Sequence, residues 1–218
     1  MCCDASLTDV LQVFRTIHRL KELPRQGFVH FGYKTYETDA IAEHSFMVAW
    51  VSYVLATELE LEPEEVETAT TMALVHDWGE AVMGDISYHV KLRDRTRDAL
   101  TRLEARAFER LTEELCEDLR DRLRSLCREY EAGETLCAGI VAFADGLDAW
   151  LQGLSTPSTW WPAWEEYNRG KQRDLAGIDE RCRQGQGKDP GLAGRFRRIC
   201  DLARDPDVSI RRPDPELD

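Results

Sequence analysis

The residues worth attention are polar ones standing where apolar ones belong. Val66, Ala69, Thr70 and Ala73 form one helical stripe, and continuing its spacing reaches His76, Asp77 and Glu80. A second stripe, Ile41, Val48 and Val51, brackets His44 in the same way. An ionised carboxylate facing a core is costly unless it is paired or bound to a metal. Two imidazoles and an aspartate from separate helices suit a divalent ion such as Zn, Mn, Fe, Co or Ni. A fourth acidic group is available in Phe143-Ala144-Asp145-Gly146-Leu147, where Asp145 shares a helix side with Val141 rather than with Leu136, Ile140 and Leu147. A plainer reading stands beside this one. A lone buried histidine is often just hydrogen-bonded, and His76-Asp77 could be a helix-end ion pair. Spacing alone leaves both open, although five such residues together make coincidence harder to defend.

The elements that would position these groups are helical. Leu7, Val10, Leu11, Phe14 and Ile17 predict an amphipathic helix over 7–20. Residues 24–38, with Pro24, Gly27 and Gly32, read as an ordered loop. A second helix runs from Ile41 to Leu59, and a third from Pro63, which suits a first turn, to about Gly79. Gly84 marks the next turn. Residues 91–131 pair a charged surface with a leucine stripe, predicting two solvated helices, while 134–154 is apolar on more than one side, as a central buried helix is. Trp150, Trp160, Trp161 and Trp164 crowd a short span, read as packing of a C-terminal segment or a dimer interface. A polar helix, a break at Gly185 and Gly187, a short helix near 191–204 and a loose tail over 205–218 complete the chain. No repeat or convincing strand is present. The fold class is all-α: one domain over 1–204, with its motif-bearing core at about 10–155 and a helical extension over 156–204.

Composition narrows the functions. In 218 residues, 41 Asp and Glu face 28 Lys and Arg, a formal charge of −13. Such a chain repels phosphate backbones, which argues against binding nucleic acid polymers. It does not argue against a small phosphorylated substrate, since a local basic pocket or a metal reverses the sign. No apolar run approaches the roughly 20 residues of a membrane span. Seven cysteines, an odd number with no Cys-x-x-Cys pair, are expected to be reduced thiols in a cytoplasmic protein.

Ala42-Glu43-His44-Ser45, Ala73 through Glu80 (Ala-Leu-Val-His-Asp-Trp-Gly-Glu), Gly84-Asp85-Ile86 and Ala144-Asp145-Gly146-Leu147-Asp148-Ala149 occur in order over residues 10–155. In these blocks the chain resembles the HD-domain metal-dependent phosphohydrolases, and within them the 5′-deoxynucleotidase-like branch. The resemblance implies an α-helical bundle and a homodimer. It also implies one divalent ion (Co, Mn, Zn, Fe, Ni or Mg) held by His44, His76, Asp77 and Asp145. The implied substrate is a small nucleotide whose phosphoester is hydrolysed. Glu80 matches the family's acidic residue one turn beyond the ligands, and Asp85 the acid of the Gly-Asp-Ile block. Val90-Lys91 matches its Val-Lys pair, and Arg25 with Phe28 its N-terminal Arg and nearby aromatic. The chain departs from the family at Phe28, often Trp, at Ser87-Tyr88-His89, often containing Pro, and at Gly146, often Lys or Arg. These departures bear on substrate choice more than on metal binding.

The chemistry so implied is removal of the 5′ phosphate from (deoxy)nucleoside monophosphates by water activated on the ion. Arg25 and Lys91 would balance the phosphate charge, the first by bidentate contact and the second as a point charge. Glu80 would orient or deprotonate the water, and Asp85 would protonate the leaving 5′ oxygen or hold the sugar. Asp148 could support the ligands or simply be a surface carboxylate. Phe28 and Trp78 are the candidates for stacking on a base. Alternatives keep the site but change the substrate to a nucleoside triphosphate or a modified nucleotide. An oxidative di-iron enzyme would want more histidines. A non-catalytic helical interaction module with a structural ion is the remaining reading.

Overall fold

A computed structural model describes residues 7–30, 32–87, 90 and 94–155, without the side chains of 94–97, 150, 154 and 155. The expectations for Lys91, Trp160, Trp161, Trp164, the 156–204 extension and the 205–218 tail fall outside the described residues.

Eight α-helices are described: α1 (Leu7–Ile17), α2 (Gln26–His30), α3 (Ile41–Glu58), α4 (Pro63–Val75), α5 (Glu80–Met83), α6 (Asp94–Thr112), α7 (Glu117–Ala132) and α8 (Leu136–Ser155), with a 3-10 turn at His18–Lys21. There is no strand among the described residues, only one antiparallel bridge between Pro24 and Ala40. The all-α architecture is therefore as expected. No described helix is long and apolar enough to cross a membrane.

Helices α3, α4 and α8 form the centre, with α7 against α4 and α8. Small residues let these backbones approach: Ala56, Ala69, Ala73, Ala138 and Ala144 are fully buried at the core with Met72, Ile140, Val141 and Phe143. This burial on several sides of α8 is what its all-round apolarity predicts. Pro63 stands at the first turn of α4, and the Glu62 N–H there donates to Glu65 Oε2 at 3.2 Å. At the start of α3 the Ala40 N–H donates to Glu43 Oε2 at 2.8 Å, so Glu43 closes the very turn that carries His44. Gly133 ends α7 in the left-handed region at φ 63°, a conformation glycine adopts without a Cβ penalty.

Four expectations need correction. The 24–38 loop contains α2, whose first N–H groups find partners in Arg25 and Asp85. The third helix stops at Val75 instead of running to Gly79. Bonds from Trp78 N–H to Val75 O and from Glu80 N–H to Asp77 O tighten the chain there, before α5 begins. On α1, Leu7, Leu11 and Phe14 stay exposed, because the helix meets the core through Val13 and Ile17 instead. Finally, Cys127 and Cys137 are free thiols but Cys116 is disulfide-bonded, since spacing along a chain does not report proximity in space.

The tight turn after Val75 brings Gly79 against α6. A Cβ at Gly79 would lie 3.1 Å from the backbone oxygen of Glu104. Gly79→Ala is therefore expected to push α5 away from α6 and to cost about 1–3 kcal/mol, as overpacking does. Thermal denaturation checks this; an unchanged Tm would show that the contact yields freely.

Candidate metal centre

His44 enters from the first turn of α3, His76 and Asp77 from the turn after α4, and Asp145 from the middle of α8. The structure brings all four together. His44, His76 and Asp145 each present a ligand atom within 4.8 Å of the others. His44 Nε2 lies 3.3 Å from Asp145 Oδ1 and 3.7 Å from Asp77 Oδ2, and His76 Nε2 lies 3.1 Å from Asp77 Oδ2. Two ligands about 2.0–2.2 Å from one ion sit roughly 3.0–3.5 Å apart, so these separations suit a shared cation.

The ring nitrogens are sorted the same way. His76 Nδ1–H donates to the Ala73 carbonyl at 2.7 Å, which turns Nε2 toward the carboxylates. That Nε2 is buried and lies against the Asp77 carboxylate. A buried imidazole nitrogen facing two carboxylates is a position that either a proton or a cation can occupy. His44 is 1% exposed, and its Nδ1 lies 2.6 Å from Asp148 Oδ2, an arrangement typical of metal-binding histidines. These residues fit a divalent ion, and imidazole with carboxylate fits Mn, Fe, Co, Ni or Zn better than a purely oxygen-seeking ion.

Electrostatics follow from burial. Burial alone would hold the His76 imidazole neutral, but Asp77, with Asp145 behind it, raises its pKa to about 9. Burial likewise opposes ionisation of Asp77, but His76 and His44 hold its carboxyl well below the usual range. Tyr130 donates from its hydroxyl to Asp145 Oδ2 at 3.4 Å, and its ring meets His76 edge-on at 5.4 Å. Burial and the carboxylates of Asp145 and Asp77 push that hydroxyl well above its ordinary value, so it stays a donor. A cleft of about 170 Å³ opens beside the centre, lined by His76, Asp77, Glu80, Tyr130 and Asp145 among others. Glu80, buried, thus borders the same space as the candidate ligands.

The remaining candidates are placed as follows. Arg25 is held at the start of α2 by its N–H bond to Asp39 O, part of the Pro24–Ala40 bridge. Its guanidinium nitrogens lie 3.7 Å from Asp39, 3.4 Å from Asp148 and 3.9 Å from Asp145. Burial raises the Asp39 pKa, with Arg25 opposing that. Phe28 is buried, with Arg25 over its ring at 5.4 Å and Tyr33 edge-on at 5.3 Å, so its face is covered rather than open to a base. Trp78 stacks on Phe108 at 6.5 Å and packs against both apolar clusters. Asp85 accepts the Gln26 N–H at 2.6 Å, tying the Gly-Asp-Ile segment to the loop that carries Arg25. Tyr130 is the site residue that sequence reasoning missed: in Glu129-Tyr130-Glu131 it resembles a surface tyrosine, and only a leucine-stripe register for α7 would have flagged it.

Comparison with known proteins places this arrangement. The HD domain model matches residues 17–179. 5′-Deoxynucleotidase HDDC2 of Bos taurus is 30% identical over 66% of this chain and 66% of its own length. A 5′-deoxynucleotidase of Vibrio cholerae is 30% identical over 73% of this chain and 80% of its own. The solved structure of a predicted metal-dependent phosphohydrolase from Magnetospirillum magnetotacticum superposes with a TM-score of 0.61 at 25% identity, over 92% of this chain and 96% of the other. The aligned part of the HDDC2 relative thus falls just short of two thirds of its length. The chain belongs to the HD-domain family. Within that family it resembles proteins named 5′-deoxynucleotidases.

A pH dependence follows from His76. Its Nδ1 is occupied by Ala73, so the titrating proton sits on Nε2, the atom facing the carboxylates. In the metal-free chain its raised pKa stabilises the fold fully below the ordinary 6.5, and that contribution fades as pH rises through about 9. The depressed Asp77 contributes above its ordinary 3.8, and its share is lost as pH falls. Proton and metal compete for one nitrogen. Affinity for Mn²⁺ is therefore expected to rise about tenfold per pH unit from pH 6 to 8. Calorimetric titration measures it, and an affinity flat across that range would remove Nε2 from the ligand set.

Proposed function

We propose that this protein removes the 5′ phosphate from (deoxy)nucleoside monophosphates. One observation carries the reading: His44, His76, Asp77 and Asp145, from three distant segments, converge with their ligand atoms facing one another. The curated relatives are named 5′-deoxynucleotidases, which supports the substrate class. In this proposal the four residues hold one divalent ion, which supplies Lewis acidity to the phosphoryl group and to an attacking water.

The chain's own residues do the rest. Glu80, buried on the wall of the cleft, takes the proton from the attacking water and orients it. Arg25, seated on Phe28, presents a guanidinium to a phosphoryl oxygen at the edge of the Asp39, Asp145 and Asp148 cluster. Asp85, which anchors the Arg25 loop through Gln26, keeps that guanidinium in register and is the candidate to assist the leaving 5′ oxygen. Lys91 remains the candidate for a second phosphate contact. Phe28 and Trp78 enter as packing partners rather than as stacking faces. A homodimer belongs to the same proposal, supported by the exposed Phe46, Trp50 and Tyr53 of α3.

Two variants separate binding from chemistry. Asp77→Ala is expected to lose both bound metal and phosphate release, and to melt earlier, because the remaining buried ligands lose their cation. Glu80→Gln is expected to keep its metal while kcat falls a hundredfold or more, the scale of general acid–base help. Metal analysis alongside inorganic phosphate release from a panel of nucleotides with Mn²⁺, Co²⁺, Zn²⁺ or Mg²⁺ checks both. Triphosphate release from nucleoside triphosphates in place of phosphate from monophosphates would overturn the substrate class. Near-normal turnover by Glu80→Gln would overturn its role.

A further inference from the structure

We infer that Asp148 is a positioning residue that decides which nitrogen of His44 is left bare for the ion. The inference rests on the metal centre proposed above. His44 Nδ1 has two neighbours that want opposite things. Asp148 Oδ2 lies 2.6 Å away, and Arg25 Nη1 lies 2.9 Å away. A carboxylate only accepts and a guanidinium only donates. Pairing with Asp148 requires a proton on Nδ1 and leaves Nε2 with its lone pair. Pairing with Arg25 requires the lone pair on Nδ1 and puts the proton of the neutral ring on Nε2, the nitrogen 3.3 Å from Asp145 Oδ1. The second tautomer cannot bind a metal through that atom.

The geometry favours the first. The Asp148 contact is the shorter, and Asp148 is itself buried. Asp148 also draws the rival donor away, because Arg25 Nη1 lies 3.4 Å from the same Oδ2 and has Asp39 at 3.7 Å as a further partner. Asp145 and Asp148 stand three residues apart on α8, one helical turn, so a single helix addresses both nitrogens of one imidazole. Asp148 thereby keeps Arg25 available for an anion rather than for His44.

The test uses the full chain and Mn²⁺ alone, so no readout depends on nucleotidase activity. Asp148→Leu leaves Arg25 as the sole neighbour of Nδ1 of this pair, and its Mn²⁺ affinity by calorimetry is expected to fall 10–100-fold, the usual effect of losing such a partner. Adding Arg25→Met removes the rival donor and is expected to restore most of that loss, which a merely structural role for Asp148 would not allow. Wild-type affinity in Asp148→Leu, or a double variant no better than the single one, overturns the inference. Should Asp148→Leu fail to fold, ¹⁵N-histidine NMR of the metal-free wild-type chain decides, at a pH where the His44 ring is neutral. A protonated Nδ1 with a bare Nε2 is expected, and the reverse overturns it. Wild-type protein that binds no Mn²⁺ at all would instead sink the metal centre itself.

Discussion

Bringing two imidazoles and several carboxylates out of water at one helix junction is the constraint on which the rest of the structure depends. Each buried ion costs several kcal/mol unless a partner of opposite charge offsets it. On one side of His44 that partner is Arg25, which faces Asp39, Asp145 and Asp148. On the other side Asp77 and Asp145 face the two histidines. With both imidazoles neutral, the carboxylates of Asp39, Asp77, Asp145 and Asp148 outnumber the single guanidinium of Arg25. A proton on His76 offsets part of that excess, and in the proposed function a divalent ion would offset more.

The fold serves that constraint by stiffness at the points of attachment. Fully buried alanines let α3, α4 and α8 approach closely, so the backbones carrying His44, His76 and Asp145 have little room to shift. The remaining freedom is taken up by hydrogen bonds that each fix one ring or one loop. Ala73 fixes His76, Asp148 fixes His44, Tyr130 fixes Asp145, and Asp85 fixes the start of α2. The Pro24–Ala40 bridge then closes the loop whose two ends carry Arg25 and Asp39, which explains how a glycine-containing segment can hold a buried guanidinium in place.

What could be read from the sequence was the conflict between pattern and chemistry. His44, His76 and Asp77 fall on apolar stripes and Asp145 on a second side of α8 beside Val141, and that signal survives because helical spacing is local. Glu80 was legible for the same reason, although the stripe passes through a turn at 76–79 rather than a continuous helix. The turn was hidden because its backbone stays nearly helical, with His76 at φ −57° and ψ −35°. Other features depend on packing that no local pattern encodes. Tyr130 finds Asp145 only after the chain reverses at Gly133, and Phe28 disappears beneath Arg25 only when the loop folds onto α3. Leu7, Leu11 and Phe14 form a stripe as regular as those in the core, yet they are exposed. Periodicity identifies a helix face, not what that face meets.

The charge balance also orders the events at the site. Asp77, Glu80, Glu104, Glu131 and Asp145 all line the cleft beside the candidate ligands, and no lysine or arginine lines it among the described residues. A phosphate dianion approaching these walls meets repulsion that Arg25, already shared among three carboxylates, does not cancel alone. Bound cations are often the largest local charges in a site and invert its electrostatic logic. In the proposed function the ion would serve substrate entry as well as chemistry, and metal would bind before nucleotide. A chain of net charge −13 would in this way act on an anion from a cleft that no described lysine or arginine lines. The attraction would then be confined to the point where the ligands hold the ion, and the acidic walls would turn away anions that do not reach it.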